Sequence, residues 1–470
     1  MSQESIFSNG KTPDFGIGYH NVGTGVLRGS SPDVSNAVNT RYGARLGHLP
    51  PAMNGHFTLM PPDVQTQTNL LHLQYLSLMY GVDIKAITPE DANRLPGSRL
   101  LVPYINTADV KIVNGPETTT WGLPAEIVDR LKNKVLSHKD MQNYTIEGIC
   151  PVDFKITDTN ELIADSSRFL TDIRTNYQKV DMESNYPVGL MIRPDECDGG
   201  YGNATLQEIK GKIVFTPNGD IEGTIEFDDW ESALKEARQH VIASSKSADT
   251  QVVISRLIDV EDSPGMTIII LDGKPFSLGW NGQIFNNGSR ACVGTSTFNP
   301  SSAHSYKIKS DYEEESVKAL TDYINEVAKD TNSDLSKVRG VVNVDFIIPG
   351  PKEREYLLKT GRDPDTLYVA EFNPRWTNGS DAAAAAVWST TRQHTPDEYI
   401  RVVNEGLLAI DKERVSPGDP EQRYQTTIDL NRRLREDGSG VILRMPGYDT
   451  LGVIYWGDTA YARAEFLKVI

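Results

Sequence analysis

Cysteine is scarce in this chain of 470 residues: three occur, Cys150, Cys197 and Cys292. Three cannot pair evenly and their spacing fits no metal site, so reduced thiols in a cytoplasmic protein are expected. No apolar run approaches the roughly 20 residues of a membrane span, so no membrane partner is expected. The N-terminal MSQESIFSNG lacks the basic and apolar regions of a secretory signal. Basic residues are outnumbered, 47 Lys and Arg against 64 Asp and Glu, for a net charge of −17. That excludes general nucleic-acid binding, which needs a basic face, but leaves room for a local basic pocket. The phosphate-binding pattern G-x-x-x-x-G-K-[ST] is absent, which argues against a P-loop enzyme.

What remains is a globular composition, 38% hydrophobic and 24% charged. The length suits about three domains at roughly 150 residues each. The chain is organised around Val341 to Asp381. Val341–Ile348 and Leu367–Asn373 are apolar runs separated by a charged, turn-forming segment, the pattern of two adjacent strands. Period-two alternation puts Glu371 and Asn373 on one face, with Ala370 and Phe372 on the other. If the strands pair, Asp345 shares the face of Glu371 and Asn373. Two close carboxylates resist joint ionisation unless a cation lies between them. Oxygen donors of this kind suit magnesium, usually held by one or two carboxylates plus substrate phosphates. Arg375 follows at once, suited to bidentate contact with phosphate or carboxylate. Asn378-Gly379-Ser380-Asp381 then caps an alanine-rich helix starting near Ala382, whose N-terminus is an anion site.

Elsewhere the local signals are simpler. Gly16, Gly18, Gly23, Gly25 and Gly29 lack dinucleotide-binding spacing, and residues 1 to about 60 read as an irregular arm. Helices are expected from Thr66 to Tyr80, from Leu123, over Trp230–Val241, Tyr312–Asp330 and Thr395–Ile410. Strand-like pieces are Asp83–Ile87, Arg99–Tyr104, Tyr186–Pro194 and Thr250–Ile258. Hairpins are expected about Asn218-Gly219 and Asp272-Gly273. Glu413 to Pro420 reads as a linker before a helix, strands at Gly440–Met445 and Leu451–Trp456, and a last helix. His56 and His72 read as packing or surface histidines.

Asp345 followed by Glu371-Phe372-Asn373-Pro374-Arg375 resembles the C-terminal catalytic signature of the ATP-grasp superfamily. The resemblance implies an α/β (α+β) protein with the ATP-grasp fold. It assigns a pre-ATP-grasp α/β domain to 1–125, the ATP-grasp domain to 126–412 with its lid at about 183–255, and a small α/β unit to 413–470. It implies ATP and Mg2+ as cofactors, with Asp345, Glu371 and Asn373 as metal ligands. In this family a lysine opening a helix before a Gly-Ile loop reaches the nucleotide phosphates. Lys134 fits best, with Lys139 second. Arg193, then Gly199, Gly200 and Gly202, resemble the lid loop, although the family usually has lysine where Arg193 stands. Arg256, Leu257 and Ile258 correspond to the adenine edge and Glu261 to the ribose acid, while Ser255 replaces a common family acid. Gln283 and Arg290 fall where the acceptor pocket is lined, and Arg290 and Arg375 are the implied catalytic residues.

The resemblance extends most closely to stand-alone peptide ligases of natural-product pathways. It implies joining of a small-molecule acid to an amine through an acyl phosphate, with release of ADP. A homodimer is compatible with this. A phosphotransferase of the same fold and a nucleotide-binding regulator are the alternatives.

Overall fold

Among the described residues, four sheets organise the chain. The computed structural model describes residues 5–7, 12–21, 54–107, 110–115, 117–143, 149–182, 186, 188–195, 202–218, 223–245, 249–285, 292–298, 302–416, 418–444 and 450–470. Strands β1 (Phe15–Tyr19), β2 (Gly55–Leu59), β3 (Ile84–Ile87), β4 (Arg99–Pro103) and β5 (Thr118–Thr120) form a parallel sheet, order β3-β2-β1-β4-β5. Helices α1 (Gln67–Tyr80) and α2 (Pro89–Arg94) make the crossovers to β3 and β4. The side chain of Thr66 caps α1 by accepting from the Asn69 N–H, and Gly81, at φ 64°, closes it. The expected irregular arm is corrected here: β1 is the central strand of this sheet. Its glycines favour strand weakly, but Ile17 is fully buried and ladders run on both sides, so tertiary pairing overrides local preference.

Helices α3 (Ala125–Lys132) and α4 (Lys134–Asn143) lead through β6 (Ile149–Pro151) to the next unit. That next unit comprises β7 (Phe154–Asp158), α5 (Leu162–Lys179), β8 (Gly189–Pro194), β9 (Ala204–Ile209), β10 (Lys212–Pro217), β11 (Ile225–Phe227), α6 (Trp230–Ser244) and β12 (Gln251–Arg256). Its antiparallel sheet runs β11-β10-β9-β8-β12-β7 and has a core of its own, where Leu170 and Ile173 meet Leu190, Leu234 and Ile254. The arms of the Asn218 hairpin pair as expected, Ile213 with Phe227 and Phe215 with Ile225, and β9 joins them as a third strand.

The third sheet carries the signature residues. It uses β13 (Val260–Asp262), β14 (Pro264–Leu271), β15 (Lys274–Phe285), β16 (Cys292–Ser296), β17 (Gly340–Pro349) and β18 (Leu367–Asn373), ordered β16-β15-β14-β17-β18-β6, with β13 on β17. Helices α7 (Ala303–Asp311) and α8 (Glu313–Asp330) precede β17, and α9 (Pro351–Lys359) separates β17 from β18. The segment expected as turn is therefore largely helical. Pro351 takes the first helical position, where its missing N–H costs nothing, and Glu353 sits in the first turn.

After β18 come α10 (Asn378–Thr391) and α11 (Pro396–Asn404), then β19 (Leu408–Arg414), α12 (Pro420–Leu434), β20 (Gly440–Leu443), β21 (Thr450–Trp456) and α13 (Thr459–Phe466). The helix expected to reach Ile410 ends at Asn404. Gly406, at φ 65°, turns the chain, and Leu408 and Ile410 pair with Trp456 and Ile454 in the sheet β19-β21-β20. Residue 413, expected to open a linker, lies inside β19.

One continuous core joins the first, third and fourth sheets. Trp376, just beyond β18, is at the seam: its ring lies 5.1 Å from Trp121 and its backbone N–H donates to the Tyr104 carbonyl at 2.9 Å. Among the described residues no helix is long and apolar enough to cross a membrane.

Candidate active site

On β17 the even-numbered residues Val342, Val344, Phe346 and Ile348 face the core and are almost wholly buried. The opposite face therefore carries Asn343 and Asp345. Antiparallel pairing sets Asp345 against Glu371 and Asn343 against Asn373. The register then shifts, with Phe346 opposite Val369, so Ala370 is a bulge.

Asp345 accepts from the Asn343 amide at 2.6 Å and from the Asn373 amide at 2.8 Å. Burial, with the charge of Glu371, raises its carboxyl to about 7 against the pull of Arg375 and the two amides. Glu371 moves the other way: burial would raise it, but Lys134, Arg375 and Arg193 together hold it below its ordinary value. Lys134 opens α4, is 4% exposed, and places Nζ 3.4 Å from Glu371 Oε2. Lys139 instead lies on an exposed face, 3.5 Å from Gln251. Arg193 reaches from strand β8 to the Ala370 carbonyl at 2.8 Å.

Beside these strands lies a polar floor that sequence patterning did not single out. Thr267 donates to Asn343 Oδ1 at 3.2 Å, and the Asn281 amide donates to Thr267 at 3.2 Å. The first turn of α10 rests on it: a Cβ on Gly379 would lie 2.5 Å from Thr267 Oγ1. The cap of α10 is Thr377, paired reciprocally with Ser380, so the helix starts earlier than the sequence suggested. Asp381 is buried and bound by Arg444 at 2.6 Å. Asn343 was detectable from its position two residues before Asp345. Thr267, Asn281 and Arg444 come from distant segments and carry no local signal.

The other expected site residues are distributed differently. Arg256 is buried in a two-bond pair with Glu353, at 2.6 and 2.8 Å, joined by Tyr186 and Tyr368. The backbone N–H of Arg256 donates to the Asp153 carbonyl and that of Leu257 to the Gly189 carbonyl. Leu257 and Ile258 are nearly buried, and Glu261 is bound by Arg354 and Ser302. Gly202, at φ 78°, donates its N–H to Asn218 Oδ1 at 2.6 Å. Gln283 faces Thr295 across β15 and β16. Gly199, Gly200, Cys197 and Arg290 lie outside the described residues. His72 is buried and bonds Tyr424 at 2.9 Å, and His56 lies beside the Trp388 ring. Cys150 is free, and burial with the Asp153 charge pushes its thiol up to about 11, which leaves it a poor nucleophile.

Two orphaned atoms test whether a metal and phosphates fit. Asn373 Oδ1, an acceptor, and Arg193 Nε, a donor, are buried without a hydrogen-bond partner among the described residues. Among those residues no three His, Cys, Asp or Glu cluster, so the donor set is two carboxylates and an amide. That set suits magnesium completed by phosphate oxygens and does not resemble a closed all-protein cage.

No protein-family model and no curated protein sequence matches the chain. Solved structures match in shape. Biotin carboxylase from Campylobacter jejuni, in a complex with β,γ-ATP, is 12% identical, covers 96% of this chain and 89% of its own, and has a TM-score of 0.51. N5-carboxyaminoimidazole synthase from Aspergillus clavatus, with ADP and 5-aminoimidazole ribonucleotide, is 9% identical over 97% of this chain and 98% of its own, at 0.47. The biotin carboxylase domain of Hydrogenobacter thermophilus 2-oxoglutarate carboxylase, with MgADP and bicarbonate, is 11% identical over 95% and 87%, at 0.49. At 12% identity the likeness to the Campylobacter jejuni structure is one of fold alone, and the chain has the ATP-grasp fold.

Proposed function

We propose that this protein is an ATP-dependent ligase that joins a carboxylate to an amine through an acyl phosphate, releasing ADP and phosphate. One observation carries the proposal: the β17–β18 register gathers Asp345, Glu371 and Asn373 on one face, with Lys134 on Glu371. The shared fold supports it, since the Campylobacter jejuni neighbour was solved with an ATP ligand. Asp345, Glu371 and Asn373 would hold Mg2+, which when bound supplies charge neutralisation at the ATP phosphates. Lys134 and Arg193 offset negative charge, and Arg375 orients the group being transferred. The lid excludes water that would hydrolyse the acyl phosphate. Gln283 and Arg290 are assigned to the acceptor side. The acid is taken to be an amino acid, a peptide or a related small acid, following the resemblance to peptide ligases.

The test is interception. With the correct acid and ATP, hydroxylamine in place of the amine should yield a hydroxamate together with ADP and phosphate. A stable phosphate ester would instead identify a kinase, AMP an adenylating enzyme, and no product from any acid a regulator.

A further inference from the structure

His138 is 1% exposed and stands one turn after Lys134 on α4. Its Nδ1 lies 2.7 Å from the Lys134 carbonyl and its Nε2 2.9 Å from a terminal nitrogen of Arg193. A guanidinium can only donate, so Nε2 accepts and Nδ1 carries the proton that goes to the carbonyl. The imidazole is thereby held neutral. Burial and the neighbouring Arg193 agree with this, both lowering its pKa well below the ordinary value.

The other terminal nitrogen of Arg193 donates to the carbonyl of the bulge residue Ala370. One planar fork therefore binds two acceptors, one on α4 and one on β18. A lysine, a point donor on a flexible stem, cannot hold both in fixed directions. The N–H of Lys134 also donates to the Asp195 carbonyl at the end of β8, at 2.9 Å. The turn of α4 carrying Lys134 and His138 is thus tied to the lid strand twice. Glu371 is the residue after Ala370, so whatever fixes the bulge fixes the direction of its carboxylate.

We propose that His138 is a positioning residue: through Nε2 it holds the Arg193 fork on the Ala370 carbonyl, locking the bulge that aims Glu371 at the metal and phosphates. The inference rests on the nucleotide-binding reading above. It assigns a role to arginine at a place where the resembled family usually has lysine.

The test is Mn2+ affinity of the full chain in the presence of a non-hydrolysable ATP analogue, read by electron paramagnetic resonance, with the KM for ATP measured alongside. His138→Leu fills the space but cannot accept, and should weaken Mn2+ binding about tenfold and raise KM more than it lowers kcat. His138→Gln brings an amide oxygen to the place of Nε2 and should stay within about threefold of wild type. If the two variants bind alike, the role is merely structural and the proposal falls. Should His138→Leu not fold, Arg193→Lys serves: it keeps the charge but loses the fork, and wild-type affinity in that variant overturns the proposal. Wild-type protein that binds no nucleotide would overturn the functional reading and this inference together. Wild-type binding with an undiminished His138→Leu overturns the inference alone.

Discussion

Asp345 and Glu371 stand opposite each other across β17 and β18, and the same pocket drives their protons in opposite directions. Burial and the facing charge raise Asp345 to about 7. Glu371 is held low because Lys134, Arg375 and Arg193 outweigh its burial. Full ionisation of both carboxylates calls for one more cation between them, which is the electrostatic condition a divalent ion meets.

This opposition has a consequence for stability. In the unfolded chain Asp345 titrates near the ordinary aspartate value of about 3.9. The folded protein therefore binds its proton more tightly, and stability falls as pH rises through that value towards about 7, with the full deficit present above it. Asp345→Asn cannot ionise. In metal-free, nucleotide-free buffer the Tm gap between variant and wild type should shift in the variant's favour from pH 5 to pH 8. A gap that does not change with pH would refute the raised pKa. Loss of activity should accompany the gain, since the variant removes a proposed ligand.

Glu371→Gln should fold and turn over far more slowly. It keeps the shape but removes the charge that faces Lys134. The expected loss is about a hundredfold in rate, on the order of 3 kcal/mol of transition-state stabilisation. Wild-type turnover with an unchanged circular dichroism spectrum would remove Glu371 from the mechanism.

Arg256 and Glu353 predict a structural phenotype. Arg256→Met leaves the Glu353 charge buried and should cost roughly 3–5 kcal/mol of stability. Burial acts to raise Glu353, yet Arg256, Tyr186 and Tyr368 hold its carboxyl below the ordinary value. The stabilisation from its charge is then present above the unfolded value of about 4.3 and is lost as pH falls through the lower folded one. Glu353→Gln should accordingly cost most at neutral pH, and its Tm deficit should shrink in acid. A deficit independent of pH would count against the charged pair.

Gly379→Ala separates helix propensity from packing. In an open helix the change would stabilise by about 1 kcal/mol. Here the new Cβ would lie 2.5 Å from Thr267 Oγ1, so destabilisation is expected instead. Adding Thr267→Ala should recover part of the loss, a coupling that a double-mutant cycle in urea measures. Strict additivity would show that the first turn of α10 does not press on the polar floor.

Several features were legible in the residues themselves. The alternation in Val341–Ile348 and Leu367–Asn373 put Glu371 and Asn373 on one face, and the structure pairs those strands. Asp272-Gly273 announced a tight hairpin, and both residues do have positive φ. Helices such as Glu313–Asp330 were recognisable from apolar spacing. These signals are local: a period, a turn or a cap acts over a few residues and leaves its mark there.

Other features depended on partners far along the chain. β1 looked like a glycine-rich arm because its strand state depends on ladders to β2 and β4, some 40 and 84 residues away (Phe15 pairs with Gly55 and Arg99). Lys134 and Lys139 are equivalent by composition, and only the docking of α4 sends one to Glu371 and the other towards Gln251. Arg256 carries no local sign that the fold buries its guanidinium, and a buried charge requires a partner such as Glu353, 97 residues on. The bulge at Ala370 and its contact with Arg193 likewise exist only once β8, β17 and β18 have met. Local patterning thus settles which face a side chain takes on its own element, whereas burial and long-range pairing settle which charges share a pocket, because those energies depend on neighbours that folding alone brings close.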